Sequence, residues 1–201
     1  MLADSSRIVK LYTYIASPVL VIRFLFHLIF YYSCRYKELV DEDLAREVYQ
    51  YKLKFKFCFF AFLWGCRFDP YFRSLFYYRI GPSKASICRM FAEDNSSFTI
   101  ICEELKSITM YHPFATIINA KRIGENFVVR NSTTIGNIKN NNDLRPIIGD
   151  NVELGANVVV IGKITIGNNV TIGAGTIINK DVPDNAIVVG NPMRIVRFKN
   201  K

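Results

Sequence analysis

The chain has 201 residues, half of them hydrophobic, and a formal net charge of +9. That length holds one domain with a sizeable core, or a medium domain with an appendage, and the apolar content excludes a wholly disordered chain. The basic excess suits an anionic partner, such as a nucleic acid, an acidic lipid surface or a phosphorylated cofactor, and it also serves plain solubility.

The composition changes near residue 98. Of the 28 Phe, Tyr and Trp residues, 24 lie at or before Phe98, and nine of the 11 glycines lie at or after Gly124. We therefore expect an aromatic-rich α-helical region over 1–98 and a mainly β domain over 99–201, with the polar stretch Glu93–Ser97 near the join. The first apolar run, Leu11–Ser33, is long enough to cross a bilayer, but Pro18, Arg23 and His27 interrupt it. Three readings stay open. The run packs on its own domain, lies in a membrane interface beside Arg7, Lys10, Arg35 and Lys37, or spans the membrane. A second helix is expected from near Asp41, because Asp41, Glu42 and Asp43 suit the positive end of a helix dipole. Lys52, Lys54 and Lys56 alternate with Leu53, Phe55 and Phe57, a mixture better explained by helix faces than by nucleic-acid stacking. The apolar run Phe57–Trp64 follows, and Gly81-Pro82 reads as a stop. Cys34, Cys58, Cys66, Cys88 and Cys102 form no C-x-x-C pair, so they read as reduced thiols of a cytoplasmic protein, with no metal site. No cleavable signal peptide is apparent.

The C-terminal half repeats with a period of six. Ile117, Ile123, Val129 and Ile135 lie six apart, and after a thirteen-residue step Ile148, Leu154, Val160, Ile166, Ile172 and Ile178 resume the spacing. Glycine follows at Gly124, Gly136, Gly149, Gly155, Gly167 and Gly173. Four residues beyond the aliphatic position stand Thr133, Val152, Val158, Ile164, Val170, Thr176 and Val182, with Phe127 once. Neither an amphipathic helix nor simple strand alternation has this period. A three-sided coil does, with six residues to a side, the aliphatic residue inside, and glycine at corners that ask for positive φ. Asn126, Asn151, Asn157 and Asn169 suit the same tight turns. Each coil buries its apolar stack only against its neighbours. The polar stretch Gly136–Pro146 reads as a loop leaving the coil, either a solvated excursion or the cover of a groove.

These residues resemble the left-handed parallel β-helix of hexapeptide-repeat acyltransferases. The likeness is to the serine acetyltransferase-like group, closest to the bacterial surface-polysaccharide O-acetyltransferases. Three segments carry it: Tyr111-His112-Pro113-Phe114-Ala115-Thr116-Ile117-Ile118-Asn119; the repeat array with its Gly136–Pro146 loop; and Ile172-Gly173-Ala174-Gly175-Thr176 through Val188-Val189-Gly190-Asn191-Pro192-Met193-Arg194-Ile195-Val196-Arg197. The resemblance implies an acetyl-CoA-dependent transfer of an acetyl group to a hydroxyl of a sugar in surface or capsular polysaccharide biosynthesis. Serine O-acetylation in cysteine biosynthesis and a non-catalytic scaffold are the alternatives.

An alcohol is a poor nucleophile at neutral pH and needs a general base, for which imidazole is suited. His112 matches the family's base, whereas His27 sits in the apolar N-terminal run and suits helix packing. A carboxylate orienting His112 would come nearest from Glu103 or Glu104, which read more simply as solvated acids. Arg145 stands where serine acetyltransferases resemble an Arg-His-Pro sequence, which puts serine in doubt. Arg145, with Asp143, is then either a substrate ligand or a structural residue at the loop base. By resemblance Ala156 and Ala174 give acetyl-CoA close backbone approach, Asn179 and Lys180 flank it, and Arg194 and Arg197 reach its phosphates. The resemblance further implies a homotrimer with grooves between subunits and a saccharide acceptor. A cytoplasmic location, with peripheral contact to the inner face of the membrane and no nucleic acid, completes the expectation.

Overall fold

A computed structural model describes residues 2–94 and 97–199. The chain divides into two compact units, Met1–Asn95 and Ser96–Lys201.

Among the described residues the first unit holds seven helices: α1 (Leu2–Ile15), α2 (Ser17–Arg23), α3 (Leu25–Tyr32), α4 (Lys37–Gln50), α5 (Cys58–Phe68), α6 (Pro70–Ile80) and α7 (Pro82–Arg89). No helix among the described residues is long and apolar enough to cross a membrane. The run 11–33 is instead divided among α1, α2 and α3. It bends at Ala16, ahead of Pro18, and at Phe24, yet helical hydrogen bonding carries through both bends: Leu20 N–H donates to Ala16 O at 2.9 Å and Leu28 N–H to Phe24 O at 2.9 Å.

The acidic trio does not mark a helix start, which corrects the expectation for α4. That helix begins at Lys37, and the trio serves side-chain pairing instead: Asp41 receives Lys37 at 2.6 Å, and Asp43 turns inward to Arg79 at 3.0 Å. Gly81, with φ of 84°, ends α6, and Pro82 opens α7.

The core of this unit is aromatic. Tyr31 stacks on Phe62 with centroids 4.3 Å apart, and Phe62 meets Phe76 edge-on at 5.2 Å. His27 is fully buried, its Nε2 2.8 Å from the Tyr77 hydroxyl. Burial first, then the Arg73 and Arg23 charges, pushes its pKa down to about 4, so it is a neutral packing residue at physiological pH. Glu47 is buried near Asp69 and Asp43. Burial, followed by the charges of those two carboxylates, pushes its pKa up, while Asp69 caps α6 by accepting N–H bonds from Tyr71 and Phe72 at 2.9 Å.

The second unit is a three-sided parallel β-solenoid. One side contains β1 (Phe98–Ile100), β4 (Thr116–Ile118), β7 (Thr134–Gly136), β10 (Val159–Ile161) and β13 (Ile177–Ile178). The next contains β2 (Glu104–Leu105), β5 (Arg122–Ile123), β8 (Ile147–Ile148) and β11 (Thr165–Ile166). The third contains β3 (Ile108–Tyr111), β6 (Phe127–Arg130), β9 (Glu153–Leu154), β12 (Thr171–Ile172) and β14 (Ala186–Val189), closed by antiparallel β15 (Arg194–Phe198).

The aliphatic array points inward as the period demands. Ile123, Val129, Ile135, Leu154, Val160, Ile166 and Ile178 are fully buried, and the ladders align Ile123 with Ile148, Leu154 with Ile172, and Ile135 with Val160. Ile117 is the exception: it is 46% exposed and Ile118 takes the interior place, paired with Ile135. The corner His112–Ala115 sets β4 so that Thr116 and Ile118 point in, and strand alternation sends Ile117 out.

Positive φ at the corners falls to asparagine. Asn126, Asn151, Asn157 and Asn169 all have φ between 55° and 59°, and Asn185, which accepts a hydrogen bond from Asn169, has φ of 62°. The glycines that follow the aliphatic residues are needed for another reason, which corrects the expectation of positive φ there. A Cβ on Gly149 would stand 2.8 Å from Gly167 O, and one on Gly155 would stand 2.6 Å from Ala174 N. At Gly124, Gly149, Gly155 and Gly167 adjacent coils nearly touch, backbone to backbone, whereas a Cβ on Gly136 meets nothing within 4 Å.

Candidate active site

The sheet order sorts the expected site residues onto edges of the prism. The edge from the third side to the first turns at 112–115, 131–133, 155–158 and 173–176. Backbone hydrogen bonds link the first three of these turns to the next along the edge: Ser132 N–H to Phe114 O at 2.8 Å, Asn157 N–H to Asn131 O at 2.9 Å, and Gly175 N–H to Ala156 O at 2.9 Å. His112, Ala156 and Ala174 therefore share one edge. His112 is exposed at the end of β3, with φ of 50°, and Ala115 completes the corner with φ of 52°. A left-handed backbone is unusual for residues with a Cβ, and it swings the imidazole out of the strand's alternation. Among the described residues the His112 side chain has no hydrogen-bond partner. Beside it, Tyr111 carries the Arg130 guanidinium over its ring at 4.9 Å, and Arg130 pairs with Glu153 at 3.2 Å.

The opposite margin of the first side carries the loop. The chain leaves the coil after β7 and returns at β8, making one 3-10 turn at Asn142–Leu144 that the Asn141 side chain caps through Asp143 N–H at 2.9 Å. Asp143 is exposed on that turn. Arg145 is 8% exposed: its Nε donates to Asn142 O at 2.7 Å, and its other nitrogens reach Ile101 O and the Glu103 carboxylate. Every terminal group of this guanidinium is thus engaged in holding the loop base to the first coil. Asn179 and Lys180 are exposed on the same margin, and Arg194 and Arg197 are exposed on β15.

Neither Glu103 nor Glu104 orients the histidine. Glu103 holds Arg145, and Glu104 lies 3.6 Å from Arg122. The Glu103–Arg145 pair is the feature that sequence reasoning left unassigned. Its signal lies in the coil register, since Glu103 N–H bonds Ala120 O and Lys121 N–H bonds Pro146 O along one edge. Cys102, the only cysteine of this unit, is buried, and burial pushes its thiol up to about 11. A thiol so held is no nucleophile near neutrality. No group of His, Cys, Asp and Glu among the described residues is placed to hold a metal.

The bacterial transferase hexapeptide family (six repeats) matches residues 145–180. The "Putative colanic acid biosynthesis acetyltransferase WcaB" of Escherichia coli (strain K12) is 47% identical over 95 residues, covering 47% of this chain and 59% of the relative. The chain thus spans less than two thirds of that relative's length. Among solved structures, the serine acetyltransferase of Neisseria gonorrhoeae aligns with a TM-score of 0.67 and 24% identity, covering 89% of this chain and 71% of the other. A serine acetyltransferase solved in complex with coenzyme A, from Brucella abortus strain S19, aligns at 0.55 and 19% over 82% of this chain and 69% of the other. The C-terminal unit shares the fold of the solved serine acetyltransferases, and its residues 145–180 match the bacterial transferase hexapeptide model.

Proposed function

We propose that the chain is an acetyl-CoA-dependent O-acetyltransferase acting on a sugar hydroxyl in surface-polysaccharide biosynthesis. The observation that carries this reading is the shared edge of His112, Ala156 and Ala174, in a chain that is 47% identical to WcaB over 95 residues. The residues fit a long, thin, anionic cosubstrate. Ala156 and Ala174 add almost no bulk to the edge, Gly175 is exposed with φ of 70°, and Asn179, Lys180, Arg194 and Arg197 offer exposed polar and cationic groups for phosphates. Bound acetyl-CoA supplies the activated thioester. His112 takes the proton of the acceptor hydroxyl as that oxygen forms its bond to the acetyl carbon. The same imidazolium then returns the proton to the departing thiolate sulfur.

The site is completed, in this reading, between copies of the chain in a homotrimer. The edge with His112 and the margin with the loop, Asn179 and Lys180 lie at opposite sides of one face. Phe114 and Ile117 leave apolar surface exposed there, at 62% and 46%. The enzyme works on the cytoplasmic side of the inner membrane beside membrane-borne acceptors. Arg145 acts as the strut of the loop, and Asp143 at its tip is the residue we assign to acceptor contact.

Release of CoA thiol, followed with a panel of saccharides and with L-serine as acceptors, tests the proposal. Saccharide-dependent release that His112→Asn abolishes is expected. Fast turnover with L-serine while every saccharide stays inert would replace it with the serine O-acetyltransferase reading.

A further inference from the structure

Helices α1 to α3 present an apolar face to solvent as well as to the core. The buried face is Leu20, Phe24, His27, Leu28 and Tyr31. The opposite face carries Ile8, Leu11, Ile15, Val19, Ile22, Leu25 and Ile29, each between 48% and 77% exposed. They recur every three or four residues across both bends, so they form one stripe along a nearly continuous helical rod. A helix packed on a soluble core turns charge outward; here the outward residues between Leu11 and Tyr32 include a single charge, Arg23.

Arg23 marks the second observation. It lines a hollow of about 500 Å³ with Arg67, Arg73 and Arg89, and Glu93 and Asp94 line it too. Of the four guanidinium groups, only Arg89 has a carboxylate partner among the described residues, Asp94 at 2.8 Å. Arg73 is fixed by carbonyls, Glu93 O at 2.9 Å and Cys66 O at 2.6 Å. Phe91, 39% exposed at the hollow, meets Phe26 of α3 at 5.2 Å and joins the hollow to the stripe. The cationic excess is general in this unit: 14 of the 26 basic residues lie at or before Arg89, against nine of the 17 acidic ones at or before Asp94.

We propose that the outward face of α1–α3 lies flat in the interface of an anionic lipid bilayer, with Arg23 and the arginine-lined hollow taking headgroup phosphates. One side of the rod is occupied by its own core, so only the other can meet acyl chains, and an in-plane pose follows. Charge selects the occupant. A second copy of the chain would bring Arg23 toward like charge in the middle of an apolar seam, whereas a headgroup layer neutralises it while the flanking Ile and Val residues insert. This surface does not depend on the acetyl-transfer reading.

Flotation of the full chain on vesicles of phosphatidylcholine, with and without phosphatidylglycerol, tests it. The chain floats with anionic vesicles at low salt and stays down with neutral ones, and high salt releases it. Arg23→Gln lowers the partition roughly fivefold. Ile22→Glu lowers it at least about tenfold. Both keep the helical circular dichroism and sedimentation size of the parent; should Ile22→Glu fail to fold, Arg23→Gln carries the test alone. Absence from anionic vesicles at low salt would overturn the proposal, as would equal flotation on neutral ones. A fall in sedimentation size for Ile22→Glu would assign the face to a second copy and overturn it too. So would a rise in thermal stability with inorganic phosphate in a chain that never floats, since the hollow would then serve a soluble anion.

Discussion

The Arg145 guanidinium, at the end of the loop that leaves the coil, is held by the Glu103 carboxylate from the first coil, 42 residues earlier. Both sit on the edge between the first and second sides, and the pair ties the excursion to the prism. Arg145→Gln is expected to cost about 1–3 kcal/mol of stability, the worth of hydrogen bonds to a charged group that is largely buried on one partner. Glu103 is 56% exposed on its side chain, so Glu103→Gln costs less. Denaturant unfolding of the two single variants and the double variant measures the coupling. An Arg145→Gln variant with unchanged stability and a raised acceptor KM would make Arg145 a substrate ligand instead.

His112→Asn is the cleanest removal of the proposed base. Asparagine tolerates the left-handed backbone that His112 adopts at φ of 50°, where alanine adds strain. The variant should lose about 10²- to 10⁴-fold in kcat, the usual worth of a general base. Its Tm should stay with the parent, and a scan of both quantities separates loss of chemistry from loss of fold.

Gly155→Ala places a methyl group 2.6 Å from Ala174 N and 2.9 Å from its Cα, both backbone atoms of the next coil. The coils must part, at about 1–3 kcal/mol. Because Ala174 lies on the proposed acetyl-CoA edge, KM for acetyl-CoA should rise as well. Gly136→Ala is the control: a Cβ there meets nothing within 4 Å, and stability should hold within about 0.5 kcal/mol.

Arg194→Gln and Arg197→Gln remove exposed cations from β15 that no carboxylate among the described residues neutralises. Each should raise KM for acetyl-CoA about threefold to tenfold, with kcat and Tm unchanged, because a phosphate contact binds ground and transition states alike. Initial-rate kinetics at varied acetyl-CoA concentration checks this.

Two buried groups give the helical unit opposite pH responses. The Glu47 pKa is raised above its unfolded value of 4.5, so its contribution is complete below that pH and is lost as pH climbs toward the folded value. The His27 pKa is lowered from 6.5 to about 4, so its contribution is present above 6.5 and is lost as pH falls toward 4. Glu47→Gln should flatten the decline that runs from about 4.5 to about 9. Chemical denaturation across pH would read both limbs, and a decline over that window that persists in Glu47→Gln would place its origin elsewhere.

The repeat made the prism legible without coordinates. A six-residue period admits one side of a coil per unit, and the isoleucine, leucine and valine stack follows from it. Asn126, Asn151, Asn157 and Asn169 were readable as turn residues because their side chains tolerate positive φ. Glycine was readable as necessary but for the wrong reason, since approach of a neighbouring coil is a property of register. Ile117 and Ile118 were indistinguishable to the period, and only the corner at His112–Ala115 settles which one faces inward.

Covalent order alone determined the coil, its corners and the one histidine placed to enter it, because local periodicity and turn chemistry are written within a few residues. Tertiary structure decided which of those residues share an edge, that Glu103 holds Arg145, and that α1 to α3 turn isoleucine and valine to solvent. Those relations join positions tens of residues apart or compare two faces of one helix. They depend on which surfaces the fold has already covered, and that is settled when the chain packs.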